Sequence, residues 1–140
     1  MKEAIVALII SPRPSFLVLH RTPGDRTWPD VWSLPGGKVD EGESSLEALE
    51  RELPEELGKE IRIKDPTPIL DREVTSPTKR NFRLMACVHR CEEFEVELSS
   101  EHDGYRWATV EEIPGMNLAP VARELIEGSN EYRTAVVQGR

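Results

Sequence analysis

The tightest constraint on this chain is a short acidic segment that must also present an apolar face. From Asp40 to Glu60, 21 residues hold nine acids and two bases, Arg51 and Lys59, so this stretch carries −7 of the chain's net −8. Yet Leu46, Leu49, Leu53 and Leu57 recur through it at intervals that fall on one side of a helix. Ser44 and Glu47 have capping-box spacing, which predicts a start near Ser44, and Gly58 supplies a stop. Pro54 opposes this reading, because past the first turn a proline removes a backbone hydrogen bond and clashes backward, at ~3 kcal/mol. Cap, periodicity and stop agree, so the spacing predicts a helix over 44–58 with a kink or bulge near 50–54.

The remaining pattern predicts one α+β domain. Apolar runs at 4–10 and 16–19, joined by Ser11-Pro12-Arg13-Pro14, read as strands, as do 69–74, 82–91, 94–98 and 105–109. Residues 22–37 are rich in turn formers and read as loop, with a short strand at 31–34. Residues 118–127 predict a second helix with Pro120 in its first turn and Gly128 at its end. Without regular βαβ alternation, these elements suit a mixed sheet flanked by helices. The domain is expected over 1–128, with 129–140 as a loosely held tail. No run of 18 apolar residues predicts a membrane-spanning helix, and the first fifteen residues read as a strand rather than a signal peptide. Cys87 and Cys91 are too few for a disulfide framework and lack further partners for zinc, so packing or an edge thiol is their expected role. A reduced, cytoplasmic protein is expected. The acidic balance argues against charge-driven binding to nucleic acid, duplex DNA included, and no feature points to a membrane. The oligomeric state is left open, a homodimer included.

Within the acidic helix, Glu52, Glu55 and Glu56 stand at i, i+3 and i+4, close together on one face. Taken alone, they read first as a solvated face neutralised by Arg51 and Lys59. A hard divalent cation is the other way to offset them, since Mg²⁺ takes a few carboxylate oxygens and keeps waters for substrate phosphates. Context decides between the two. Gly37, five residues, Glu43, seven residues, then Arg51-Glu52-Leu53-Pro54-Glu55-Glu56-Leu57-Gly58 resembles the Nudix box. Eight specified positions are met over 22 residues. Lys59 stands where the box has an aliphatic residue, and Ile61 is expected to supply that packing. Leu34-Pro35-Gly36-Gly37-Lys38 and the later Glu101 with Tyr105-Arg106-Trp107 extend the resemblance over most of the chain.

The resemblance implies an α/β/α sandwich and a hydrolase, using Mg²⁺ or Mn²⁺, that cleaves a nucleoside diphosphate linked to another moiety. Glu55, Glu56 and the Gly36 carbonyl would hold metal. Glu52 would be a ligand or the base that takes a proton from water, and Glu101 is the other contender for either task. Arg51 would orient a glutamate, and Glu43 would tie the preceding loop to the helix. His102 could serve as base but reads as an ordinary surface-loop histidine. Lys38 could meet a phosphate. In the MutT-type subgroup an arginine placed like Arg21 helps hold a purine. Asn117 resembles that subgroup's base-reading asparagine, and it is also well placed to cap a helix. Trp28 and Trp32 flank the expected cleft and could stack on a base, with packing under the loop the favoured role for Trp32. A nucleoside triphosphate pyrophosphohydrolase is therefore the leading expectation, with an oxidised purine such as 8-oxo-dGTP as its substrate. Nucleotide sugars, dinucleoside polyphosphates and capped RNA ends are alternatives within that chemistry. A catalytically silent nucleotide-binding module that regulates a partner is the alternative outside it.

Overall fold

The computed structural model describes residues 1–24 and 30–139. The acidic segment forms helix α1, Ser45–Leu57, and both halves of the capping box are made. The Ser44 hydroxyl accepts from the Glu47 N–H at 3.1 Å, and the Glu47 carboxylate accepts from the Ser44 N–H at 2.9 Å. Gly58 ends the helix in the left-handed region (φ 69°). The α-helical pattern is continuous through Pro54, so the expected bulge near 50–54 is absent. Ala48, Leu49, Leu53 and Leu57 on its inner face are fully buried, and this packing outweighs one missing backbone bond. Ile61 is buried in the same cluster, while Lys59 lies over the Phe94 ring at 4.4 Å.

Seven strands make one mixed sheet: β1 Lys2–Ile10, β2 Ser15–Arg21, β3 Trp32–Ser33, β4 Gly36–Lys38, β5 Leu70–Thr75, β6 Asn81–Arg90 and β7 His102–Thr109. The main path runs β3-β2-β1-β6-β5, with β4 paired to β1 and β7 to β2. Only β1 and β6 pair in parallel among these, from Lys2↔Phe82 to Ile10↔Arg90. Two-residue alternation then sorts side chains between two cores. Ile5, Ala7 and Ile9 with Leu17 and Leu19 pack under α1. Leu8, Ile10, Phe16 and Val18 face Ala122, Leu125 and Ile126 of helix α2, Pro120–Gly128. One helix on each face of a mixed sheet is the expected α/β/α sandwich.

Two expectations are corrected. Residues 94–98 form no strand: the Glu97 N–H goes to the Leu57 carbonyl at α1's end, and the Trp107 indole N–H goes to the Phe94 carbonyl. Phe94, Val96 and Leu98 do alternate onto the α1-side core, so the hydrophobic period is real although no neighbouring strand receives it. Residues 130–138 are not a loose tail but helix α3, Asn130–Gln138, capped by the Ser129 hydroxyl. It has no buried residue, and its ties are the Arg90–Glu131 ion pair and the Tyr132 ring against Phe16. Such an anchorage leaves no apolar period to read. Cys87 is buried and Cys91 half-buried on the α1 side, both as free thiols.

Replacing Ser44 by Ala removes one capping-box acceptor and should lower unfolding free energy by about 1 kcal/mol. Urea unfolding measures this, and an unchanged midpoint would mean that the cap does not hold α1's start.

Candidate functional site

The site begins with two adjacent glycines in β4, each needed for a different close approach. A Cβ on Gly36 (φ 153°) would lie 2.1 Å from the Ile5 carbonyl oxygen of β1. A Cβ on Gly37 would meet the Glu52 carboxylate carbon at 2.5 Å. Only bare backbone lets β4 slip between β1 and the acidic edge of α1. There the Gly36 N–H donates to Glu56 Oε1 at 2.7 Å. The Glu56 carboxyl is otherwise buried, at 5% exposure, and burial pushes its pKa up to about 8 against the pull of that hydrogen bond.

Arg51 organises the other acids. Its Nε donates to Glu43 Oε2 at 2.8 Å, its Nη1 to Glu52 Oε1 at 2.8 Å, and its Nη2 to the Lys38 carbonyl at 3.1 Å. Glu43 in turn accepts from the Asp40 N–H at 2.8 Å, which closes the 38–43 loop onto α1. These bonds hold the Glu43 carboxyl below the usual carboxylate range. For Glu52, burial outweighs the Arg51 pairing, with Glu55 and Glu101 adding repulsion, so its pKa is raised. Arg51 thus orients a glutamate and Glu43 ties loop to helix, as the residues suggest.

The sheet brings the late loop to the same place. Carboxylate oxygens of Glu56 and Glu101 and a ring nitrogen of His102 all lie within 4.8 Å of one another. Two carboxylates and an imidazole converging on one point, one carboxyl buried against its own charge, fit a divalent cation. Glu55, by contrast, is exposed on α1 and stands outside this three-residue group. His102 corrects an expectation, for it is no surface-loop residue. It opens β7, is 6% exposed, and puts Nδ1 3.9 Å from Glu56 Oε2. The cause is a register shift between His20 and Arg21, so that Gly104 pairs with His20 but His102 with Arg21. A single extra residue turns the strand over and sends His102 to the α1 face with Leu17 and Leu19. No residue pattern announces such a shift. Asp103, at the shift, holds His20 Nδ1 at 2.6 Å.

Glu56, Glu101 and His102 all line one cleft of about 790 Å³. Arg21, Ser33, Lys38 and Glu52 line it near the acids, with Arg21 Nε donating to the Ser33 hydroxyl at 3.2 Å. Val6, Val74, Phe82, Leu84 and the start of α2 form an apolar wall, with Arg72 and Arg80 at the lip. This β5–β6 wall was not foreseen from the sequence, because no motif marks it. Asn117 is exposed on the loop before α2, where its carbonyl accepts from the Trp32 N–H and its side-chain amide donates to the Asp30 carbonyl at 3.1 Å. It does not cap α2, whose N-cap is Ala119. Trp32 packs against the His20 ring with the Arg106 guanidinium over its face. Trp28 lies outside the described residues. Among the described residues, no helix is long and apolar enough to cross a membrane.

The sequence signature described as the NUDIX domain matches residues 1–128. Nucleoside triphosphatase NudI of Escherichia coli O139:H28 is 26% identical over 133 residues, covering 89% of this chain and 94% of its own. The crystal structure of MutT protein from Methanosarcina mazei Go1 is similar with a TM-score of 0.74 at 28% identity, covering 99% of this chain and 95% of that one. An Ap4A hydrolase from C. elegans shares the fold at a TM-score of 0.70 and 20% identity, over the full length of both chains.

Glu56 yields a stability test. Its folded pKa, about 8, exceeds the ordinary 4.5, so the charge costs nothing below 4.5 and its full penalty is felt above 8. Glu56→Gln keeps an acceptor for Gly36 without the charge. In metal-free buffer at pH 8.5 it should melt above the wild type, by on the order of 2 kcal/mol or more, and the gap should close toward pH 4.5. Superimposable melting curves at both pH values would contradict a buried charge at this position.

Proposed function

The chain belongs to the NUDIX family of hydrolases, and we propose that it cleaves nucleoside triphosphates to a monophosphate and pyrophosphate. The observation that supports this is a single cleft lined both by Glu56, Glu101 and His102, a group able to hold a cation, and by the apolar side chains of Val6, Val74, Phe82 and Leu84. A polyphosphate needs the first and a base the second. The similar proteins named as a nucleoside triphosphatase and as MutT support a triphosphate. The one named as an Ap4A hydrolase supports dinucleoside polyphosphates as the competing substrate class.

Glu56 and Glu101 would hold Mg²⁺ or Mn²⁺, with Glu55 and the Gly36 carbonyl completing the donor set. A bound divalent ion supplies charge neutralisation at the phosphate oxygens and orients in-line attack. Glu52 is the better-placed base. Arg51 fixes its Oε1, Gly37 leaves room for its carboxylate, and burial raises its proton affinity, all of which suit a group that takes a proton from attacking water. Arg51 positions this base rather than touching substrate. Lys38 and Arg21 are proposed to meet phosphate and base respectively. Asn117 is proposed as the reader of a purine edge, with 8-oxo-dGTP the leading substrate. Residues 1–128 would form the catalytic domain.

A pyrophosphate-release panel across triphosphates, nucleotide sugars and dinucleoside polyphosphates with Mg²⁺ tests the reading. Glu52→Gln should lower kcat by ~10²-fold or more with metal affinity kept, whereas Glu56→Gln should weaken metal binding itself. Equal turnover by wild type and both variants would refute the assignment. Asn117→Ala should change the ranking of bases more than kcat on the best one, read as relative kcat/KM across the panel. An unchanged ranking would remove Asn117 from base recognition.

A further inference from the structure

We propose that His102 is itself a metal ligand, a nitrogen donor that tunes this site toward Mn²⁺ or Co²⁺ over Mg²⁺. The proposal rests on the hydrolase reading above, which places a divalent cation at Glu56 and Glu101.

Three observations carry it. First, His102 Nδ1 stands 3.9 Å from Glu56 Oε2, too far for a hydrogen bond. Two donors that each sit about 2.1 Å from one ion lie roughly 3.0 to 4.2 Å apart, depending on the angle between them. The observed separation falls within that range. Second, a third donor, a Glu101 oxygen, falls within 4.8 Å of both, so small side-chain movements bring all three onto one ion. Third, the register shift at His20/Arg21 costs β2 and β7 a regular pairing, and its effect is to turn His102 onto the α1 face. Two side chains lock the shifted turn: Asp103 on His20 at 2.6 Å, and the His20 ring against Trp32 at 4.9 Å between centroids. Bulges re-aim side chains, and here the re-aimed group is the cluster's one nitrogen donor.

The choice of donor has a chemical consequence. An all-oxygen set suits Mg²⁺, whereas imidazole raises affinity for first-row transition ions much more than for Mg²⁺. The site then binds Mn²⁺ and Co²⁺ preferentially when Mg²⁺ is present at equal concentration.

Pulsed EPR of the Mn²⁺-loaded full chain, without nucleotide, tests this directly. Wild type should show the modulation of a directly coordinated ¹⁴N, which changes on incorporation of ¹⁵N-histidine. It should be lost in His102→Gln and kept in His89→Gln. Mn²⁺ affinity, by EPR titration, should fall by ~10-fold or more in His102→Gln, with a smaller change for Mg²⁺ measured by competition. Mn²⁺ bound at the wild-type site without a coordinated nitrogen overturns the assignment of His102 and leaves the hydrolase reading standing. Failure to bind Mn²⁺ at all overturns both. The isotope experiment on wild type needs no substitution, so a His102→Gln variant that fails to fold does not shield the proposal.

Discussion

The 2.7 Å bond from the Gly36 N–H to Glu56 joins the sheet to the acidic helix, and the rest of the site follows from it. β4 is three residues long and contributes little by pairing alone. Its position is set from both sides, by the Ile5 carbonyl beneath Gly36 and the Glu52 carboxylate above Gly37. With β4 held there, α1 cannot rotate: Leu49, Leu53 and Leu57 fix its inward face, and Glu56 points into the protein as a consequence. A carboxyl thus ends up where water cannot solvate it, a placement that only a partner cation or a retained proton makes tolerable.

Concentrated charge is the price of this arrangement, and the chain offsets it locally. Arg51 alone bridges Glu43, Glu52 and the Lys38 carbonyl, with Asp40 at 3.3 Å. Its planar fork suits that task better than an ammonium would. Two glutamates of the acidic helix are therefore treated differently by their surroundings. Glu52 keeps a guanidinium beside it, while Glu56 accepts from a backbone N–H, with His102 Nδ1 3.9 Å away. These surroundings suit the roles proposed for them, the first to exchange a proton and the second to receive a cation. Two acids four residues apart come to different chemistry through what lies beside them.

Much of this was legible in the residues. Ser44, Glu47 and Gly58 marked α1 within a residue at each end, and the box resemblance implied the pairing of Arg51 with a glutamate and the tie of Glu43 between loop and helix, but not the Gly36 bond to Glu56. Apolar runs located β1, β2, β5 and β6. What could not be read arose where pairing, not pattern, decides. Phe94, Val96 and Leu98 alternate like a strand but bond to a helix end and an indole. Asn117 has the chemistry of a cap, but the chain turns into α2 only at Ala119. His102 looks like a loop residue until the shift at His20 reverses its face. Each is a long-range or register effect with no local signature, the kind that tertiary contacts impose on weak local preference.

The division of labour in the cleft follows the same line. The residues proposed to carry the reaction come from α1, β4 and the start of β7, tied by short hydrogen bonds and glycine-sized gaps that admit few substitutions. The walls that would meet a base come from β5, β6 and the start of α2, where Val74, Phe82, Leu84 and Val121 supply apolar surface without directional bonds. An apolar wall discriminates weakly, by a methylene or two, whereas paired donors and acceptors discriminate strongly. Under the proposed reading, polar groups in the cleft rather than this apolar lining would do most of the choosing among nucleotides. Arg72 pairs with Glu124 at 2.6 Å, an exposed ion pair that ties β5 to α2 beside this lining. On the same reading, substrate choice would rest on the cleft's walls and the reaction on the acidic helix.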